Sequence, residues 1–217
     1  MAVSFNIFRT TADLMHVIAI VILLYRIRVL KNCAGVSLKT QELYLLVFLT
    51  RYVDLFWNFI SVYNSIMKII FIGTTGATVY LMRFRYNHTY DKEHDTFRVL
   101  FLILPCLFTA LLVNTRFTPD EIAWSFSLYL EAVAILPQLF LIQRTGEVEA
   151  MNSNYIFCLG SYRALYILNW IYRYYTELNY TSWIAWVSGI VQTILYADFF
   201  YYYFKAKMEG KKLELPA

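Results

Sequence analysis

Seven apolar stretches follow one another along the chain, at roughly 6–26, 40–60, 64–84, 97–114, 119–142, 153–175 and 181–204, with short polar gaps between them. A helix needs about 20 mostly apolar residues to cross the hydrocarbon core of a bilayer, so the pattern predicts an all-α integral membrane protein of seven transmembrane helices. No gap is long enough to fold alone. Residues 1–217 therefore read as one domain, ending in a short polar tail at 205–217.

Composition sharpens this. Apolar residues make up 59% and charged residues only 16%, against about a quarter charged in a soluble domain. With 7 Gly and 4 Pro, disorder and collagen-like repeats are excluded. Cys33, Cys106 and Cys158 are too scattered for a disulfide framework or a metal site. The net charge of +4 would point to nucleic acid only if the basic residues shared a face. Instead they gather at the ends of apolar stretches. Arg26, Arg28, Lys31, Lys39, Arg83, Arg85, Lys92, Arg98, Arg144, Lys205, Lys207, Lys211 and Lys212 fall on one side, with only Lys68 and Arg116 near the loops of the other. The positive-inside rule makes the first side cytosolic. The first stretch, followed rather than preceded by its main cations, reads as an uncleaved anchor with its N-terminus lumenal. The sequons at Asn87 and Asn179 are then expected to be unused.

A repeat runs through the pattern. His16-VIAIVILLYRI in the first stretch aligns with Glu131-AVAILPQLFLI in the fifth, and the next stretches carry Arg51 and Arg163 at similar spacings. The expected architecture is repeat one at about 1–90, a linker helix at about 95–115 and repeat two at about 119–204. In such proteins the ligand site tends to lie between the halves. The Pro137-Gln138 pair resembles that of the PQ-loop and sugar-transporter class, which implies the same three-plus-one-plus-three arrangement.

Charges inside these stretches are the candidate chemistry, because each costs about 2.5–3.5 kcal/mol at a helix centre. They are Arg51, Asp54, Glu131, Arg163 and Arg173, with Arg9, Asp13 and His16 near the start of the first stretch and Asp198 in the seventh. The bland alternative is internal pairing, Arg163 with Glu131 and Asp54 with Arg51, which leaves Arg9 and Arg173 without obvious partners. Arginines at a cavity mouth suit an anionic ligand, since guanidinium forks bind carboxylates bidentately. Trp124, Tyr162, Tyr166 and Trp170 would wall such a cavity. His16, with a reference pKa of about 6.5, would respond to mild acidification. There is no nucleophile elbow, phosphate loop or metal spacing, so no enzyme and no cofactor is expected beyond protons as a regulatory ligand.

The strings NIFRTTADLMH, TRYVDLFWNFISVYNS, DTFRVLFLILP, SLYLEAVAILPQLF, YRALYILNWIYRYY, VQTILYADFFYYY and GKKLELPA together resemble the KDEL receptor family over essentially the whole chain. That resemblance implies a retrieval receptor of the Golgi, endoplasmic reticulum and COPI vesicles. It binds the C-terminal Lys-Asp-Glu-Leu or His-Asp-Glu-Leu of escaped lumenal proteins at mildly acidic pH and releases them near neutrality. It places Arg9, Arg51 and Arg173 at the ligand arginines, and Glu131, Tyr162 and Arg163 in a polar network beneath the peptide. Tyr166, Asn169 and Trp170 become lining residues. Glu121 and Trp124 meet the signal's fourth-from-last residue, and His16 becomes the pH switch. Asp54 and Asp198 have supporting roles, and Lys205, Lys207, Lys211 and Lys212 engage the COPI coat. The expected partners are thus the tetrapeptide, the coat and membrane lipid, with no nucleic acid.

Two departures from the family pattern bear on this. Glu214 stands where many members have a phosphorylatable serine, which implies loss or permanent mimicry of that control. Arg116 stands where an acidic residue is common, which bears on the choice between Lys-led and His-led signals. A small-solute transporter or a proton-coupled amino-acid carrier on the same fold is the rival reading, because fold alone does not settle function.

Overall fold

A computed structural model describes residues 6–56, 59, 61–148, 150–177, 182–210 and 213–214. Among these, nine α-helices succeed one another: α1 (Ile7–Leu30), α2 (Leu38–Arg51), α3 (Val62–Tyr80), α4 (Leu100–Leu112), α5 (Pro119–Val133), α6 (Leu136–Thr145), α7 (Ala150–Thr176), α8 (Trp183–Leu195) and α9 (Ala197–Glu209). Each of the seven apolar stretches carries at least one of them. Two short strands, β1 (Glu147–Val148) and β2 (Leu213–Glu214), pair antiparallel and hold the tail to the loop after α6.

Local sequence explains the boundaries. Asn6, Ser37 and Ser61 cap α1, α2 and α3, each side chain accepting from a backbone N–H three residues on. Pro119 opens α5 with Asp120 and Glu121 in its first turn, where the helix dipole favours acids. The fifth stretch breaks at Ala134–Ile135 because Pro137 has no N–H to donate and its ring crowds the carbonyl one turn earlier. The seventh bends by 41° at Tyr196, between α8 and α9.

By length and composition, three described helical stretches can cross a membrane: Ile7–Leu30, Val62–Arg85 and Pro119–Thr145. The bent pair α8–α9 makes a fourth. α4 and α2, at 13 and 14 residues, are short for a span, and α7 is long enough but carries polar residues such as Arg163 and Asn169 into the interior. The outer surface is apolar: Phe101, Leu104, Phe108 and Leu112 on α4 are all exposed, as are Leu14, Val21 and Tyr25 on α1. Such a surface is a liability in water and fits hydrocarbon. The chain is a helical membrane protein.

Inside, α1 lies along α7 and α2 along α5, while α3 and α8 pack against the members of those pairs. Leu23, Ile27, Val47, Leu130, Ile156 and Phe199 are among the fully buried core side chains. Gly160 on α7 lets the rings of Tyr196 and Phe200 come so close that a Cβ there would lie 2.6 Å from Phe200.

The end of the bundle where α1 finishes is closed by buried polar contacts. Gln138 accepts from the Ser37 N–H (2.8 Å) and donates to the Gly35 carbonyl (2.9 Å), and its own backbone N–H donates to Thr40 Oγ1 (3.0 Å). Ser37 Oγ and the Tyr90 hydroxyl both donate to Asp95 Oδ2, at 2.9 and 2.6 Å. Burial, then this carboxylate, pushes the Tyr90 hydroxyl well above its ordinary range. One layer deeper, Gln41 donates to the Tyr155 hydroxyl (2.9 Å), and the hydroxyls of Tyr44 and Tyr196 meet at 3.3 Å.

Replacing Gln138 with leucine strips the buried Ser37 N–H of its acceptor, at a cost of about 1–3 kcal/mol. Thermal unfolding in detergent is expected to show a lowered melting temperature with unchanged helix content. An unaltered melting temperature would mean that the clamp contributes nothing.

Candidate functional site

A cavity of about 440 Å³ opens among the helices at the Arg9 end. Its lining comes from the starts of α1, α3, α5 and α8 and from the ends of α2 and α7, which all lie at that end. Its charges do not balance. Arg9, Arg51, Lys68, Arg163 and Arg173 face Asp13, Asp54 and Glu131, five cations against three carboxylates.

At the base lies Glu131, 1% exposed. Arg51 reaches its Oε2 at 2.5 Å, Arg163 bonds the same oxygen, and the Tyr162 hydroxyl donates to Oε1 at 2.5 Å. Arg163 also donates to that hydroxyl (3.3 Å), and its guanidinium lies over the rings of Tyr162, Tyr166 and Trp170. Arg51 Nε donates to Ser127 Oγ (3.1 Å), which in turn donates to the Trp124 carbonyl (2.6 Å). The bare backbone of Gly189 makes room here, since a Cβ would lie 2.5 Å from the Trp170 ring. His16 stacks flat on Tyr162, ring centroids 3.9 Å apart and planes 6° apart, with Phe48 and Phe71 around it.

The upper wall is polar. The hydroxyls of Tyr63 (2.9 Å) and Tyr166 both donate to Asp13. Arg9 donates to Asn64 Oδ1 (2.9 Å) and comes within 3.9 Å of Asp13. Asn6 donates to Asn169 at 2.7 Å, tying α1 to α7. Asp54 accepts both its bonds from Lys68, at 2.7 and 2.8 Å.

The expected residues are thus brought together with two exceptions. Arg9, Arg51, Trp124, Glu131, Tyr162, Arg163, Tyr166, Asn169, Trp170 and Arg173 all line the cavity, as do His16 and Asp54. Glu121, in the first turn of α5, is not part of the lining, although Trp124 one turn on is. Asp198 lies in a separate groove near the opposite end. Lys205 and Lys207 sit on the last turns of α9, and Lys211 and Lys212 lie outside the described residues.

Arg163 meets Glu131 as the internal-pairing alternative has it, and Arg9 is bonded to Asn64 rather than unpartnered; pairing differs elsewhere too. Asp54 bonds Lys68 rather than Arg51, because Arg51 turns inward to Glu131. Arg173 is held bidentately by Glu177, one helical turn on (2.9 and 2.8 Å). Lys68, a loop cation by position in the sequence, points into the cavity. The spacing of Arg173 and Glu177 was a readable signal; Lys68, Asn64 and Tyr63 on α3 carried none.

The site is thus a net-positive cavity inside a helical membrane protein. Residues 32–173 match the model of the family described as ER lumen protein retaining receptor. The chain is 57% identical over 212 residues to "ER lumen protein-retaining receptor 2" of Danio rerio, which spans 98% of this chain and all of that relative. It is 56% identical over 214 residues to the "ER lumen protein-retaining receptor" of Petunia hybrida, and 56% over 212 residues to that of Drosophila melanogaster, with the same coverage. The chain belongs to the ER lumen protein-retaining receptor family, a family of receptors and not of enzymes.

Glu131→Gln leaves Arg51 and Arg163 without their shared counter-ion, and loss of one partner of a buried pair costs about 3–5 kcal/mol. The expected outcome is a large fall in melting temperature. An unchanged value would mean that the two guanidiniums are balanced elsewhere.

Proposed function

We propose that this chain is the retrieval receptor for soluble proteins of the endoplasmic reticulum, taking a C-terminal Lys-Asp-Glu-Leu or His-Asp-Glu-Leu into its basic cavity. The single observation that carries this is the excess of guanidinium and ammonium groups in one cavity among the helices. The signal ends in three carboxylates, from Asp, Glu and the terminus, and Arg9, Arg51 and Arg173 are the cations assigned to them. Trp124 then stands nearest the fourth-from-last residue, with Glu121 one turn away outside the lining and Tyr166, Asn169 and Trp170 along the peptide.

His16 is the proposed switch. Protonation would place a cation on the face of Tyr162, whose hydroxyl donates to Glu131, so the charge reaches the base of the cavity. Acid and cargo then favour one another by linkage. The receptor loads in the mildly acidic Golgi and unloads in the near-neutral endoplasmic reticulum.

Seven spans in a three-plus-one-plus-three repeat are part of the proposal. The packing supports it: α1 with α7 mirrors α2 with α5, α2 with α3 mirrors α7 with α8, and α1 with α3 mirrors α5 with α8. Cytosolic placement of the Gln138 end follows from the cations, all the more because Lys68 belongs to the cavity and leaves Arg116 alone near the opposite loops. Lys205, Lys207, Lys211 and Lys212 would then face the COPI coat.

Equilibrium binding of a labelled tetrapeptide to the purified chain, scanned from about pH 5.5 to 7.5 around the histidine pKa, tests the reading. Tight binding at acid pH, lost towards neutrality and weakened at least roughly tenfold by C-terminal amidation, is expected. No binding at any pH, with solute flux in liposomes, would replace it with a transporter. His16→Leu is expected to flatten the pH dependence, and a profile unchanged by that substitution would remove His16 from the switch.

A further inference from the structure

Near the Gln138 end a second cavity, of about 220 Å³, lies between two helix faces of identical spacing. Leu136, Leu139, Phe140 and Gln143 form one wall on α6, and Leu195, Asp198, Phe199 and Tyr202 form the other across the α8–α9 bend. Phe97 lies between them, edge-on to Phe140 at 5.7 Å. Most of this lining is apolar, yet Asp198 is exposed in it and makes no hydrogen bond or ion pair among the described residues. The first turn of α9 tolerates an acid there through the helix dipole. That does not explain why a carboxylate faces a mostly apolar groove, and within the proposed membrane placement an ionisable group there marks a ligand or a partner.

The rim carries the opposite charge. Arg144 lies over the Phe140 ring (4.8 Å) and donates to Thr96 Oγ1 (2.8 Å). Lys39 Nζ donates to the Phe97 carbonyl (2.9 Å), and Arg98, the next residue in the chain after Phe97, is exposed. Lys205 follows one turn beyond Tyr202 on the same helix. An occupant must therefore offer an apolar body, an anion for the rim and a cationic hydrogen-bond donor for Asp198.

We propose that this groove binds an aminophospholipid: acyl chain along Leu136, Leu139 and Leu195, phosphate between Arg144 and Arg98, and primary ammonium on Asp198. Phosphatidylethanolamine and phosphatidylserine share this chemistry. Phosphatidylcholine has the phosphate without N–H donors, and phosphatidylglycerol has it without the cation. The inference rests on the membrane placement proposed above and not on the peptide site.

Native mass spectrometry of the full-length protein, titrated with each of the four dioleoyl lipids, tests it. Phosphatidylethanolamine and phosphatidylserine are expected to bind about fivefold tighter than phosphatidylcholine, the size of a half-screened ion pair. Asp198→Asn should erase that preference, Asp198→Glu should keep it, and Arg144→Gln should weaken all four lipids. Circular dichroism and the melting temperature of the same samples show that each variant is folded. Failure of the unsubstituted protein to bind the tetrapeptide would strike the receptor reading alone, whereas lipid results strike this inference alone. Equal binding of all four lipids would reduce the groove to ordinary annulus. Tightest binding of phosphatidylglycerol would leave an anion site in which Asp198 plays no part. Either result overturns the proposal.

Discussion

The interior of this protein is organised around one carboxylate. Glu131 sits among apolar helices where an isolated anion could not remain charged, so it must be met by cations. Arg51 comes from α2 and Arg163 from α7, and Tyr162 completes its shell. Three helices are thereby fixed to one point, and the stack of His16 on Tyr162 adds α1. Because two guanidiniums share one carboxylate, the cluster keeps a positive surplus. The group that stabilises the interior therefore also sets the sign of the cavity above it.

The two ends of the bundle use polar groups in opposite ways. At the Gln138 end, amides and hydroxyls are spent on each other: Gln138 on the backbone around Ser37, Asp95 on Ser37 and Tyr90, and Gln41 on Tyr155. At the Arg9 end, the charged groups line open space: above the buried Glu131 cluster, Arg9 with Asn64, Lys68 with Asp54 and Arg173 with Glu177 are all partly exposed contacts. The sealed end is a structural seam, and the open end is available to a ligand.

Much of this was legible in the sequence. The apolar stretches located the helices, and the charges interrupting them located the cavity, because hydrocarbon tolerates such residues only where they face the interior. The pairing of Arg163 with Glu131 was readable too, but the remaining partnerships were not. Lys68 looked like a flanking cation because hydropathy does not say which way a residue at a helix start points. Asp54 was near Arg51 in sequence, but Glu131, eighty positions away, won that arginine. Asp198 looked like part of the same set, yet helix length carries it to the far end. The Pro137-Gln138 pair was visible as a fold marker. Its use of both backbone and side chain to clamp the other half depends on three-dimensional register, to which no local propensity refers.

The same clamp has a bearing on how the chain is made. Ser37 and its acceptor Gln138 are separated by 101 residues, and the Gln41–Tyr155 pair by 114. A nascent chain that has inserted only its first helices therefore carries a buried backbone donor and the Arg51 charge with no partner inside the bilayer. Neither is satisfied until α5 and α6 emerge from the ribosome. Low-order contacts cannot rescue the early helices, so assembly must wait on the second half. Until then the first half is not a finished unit.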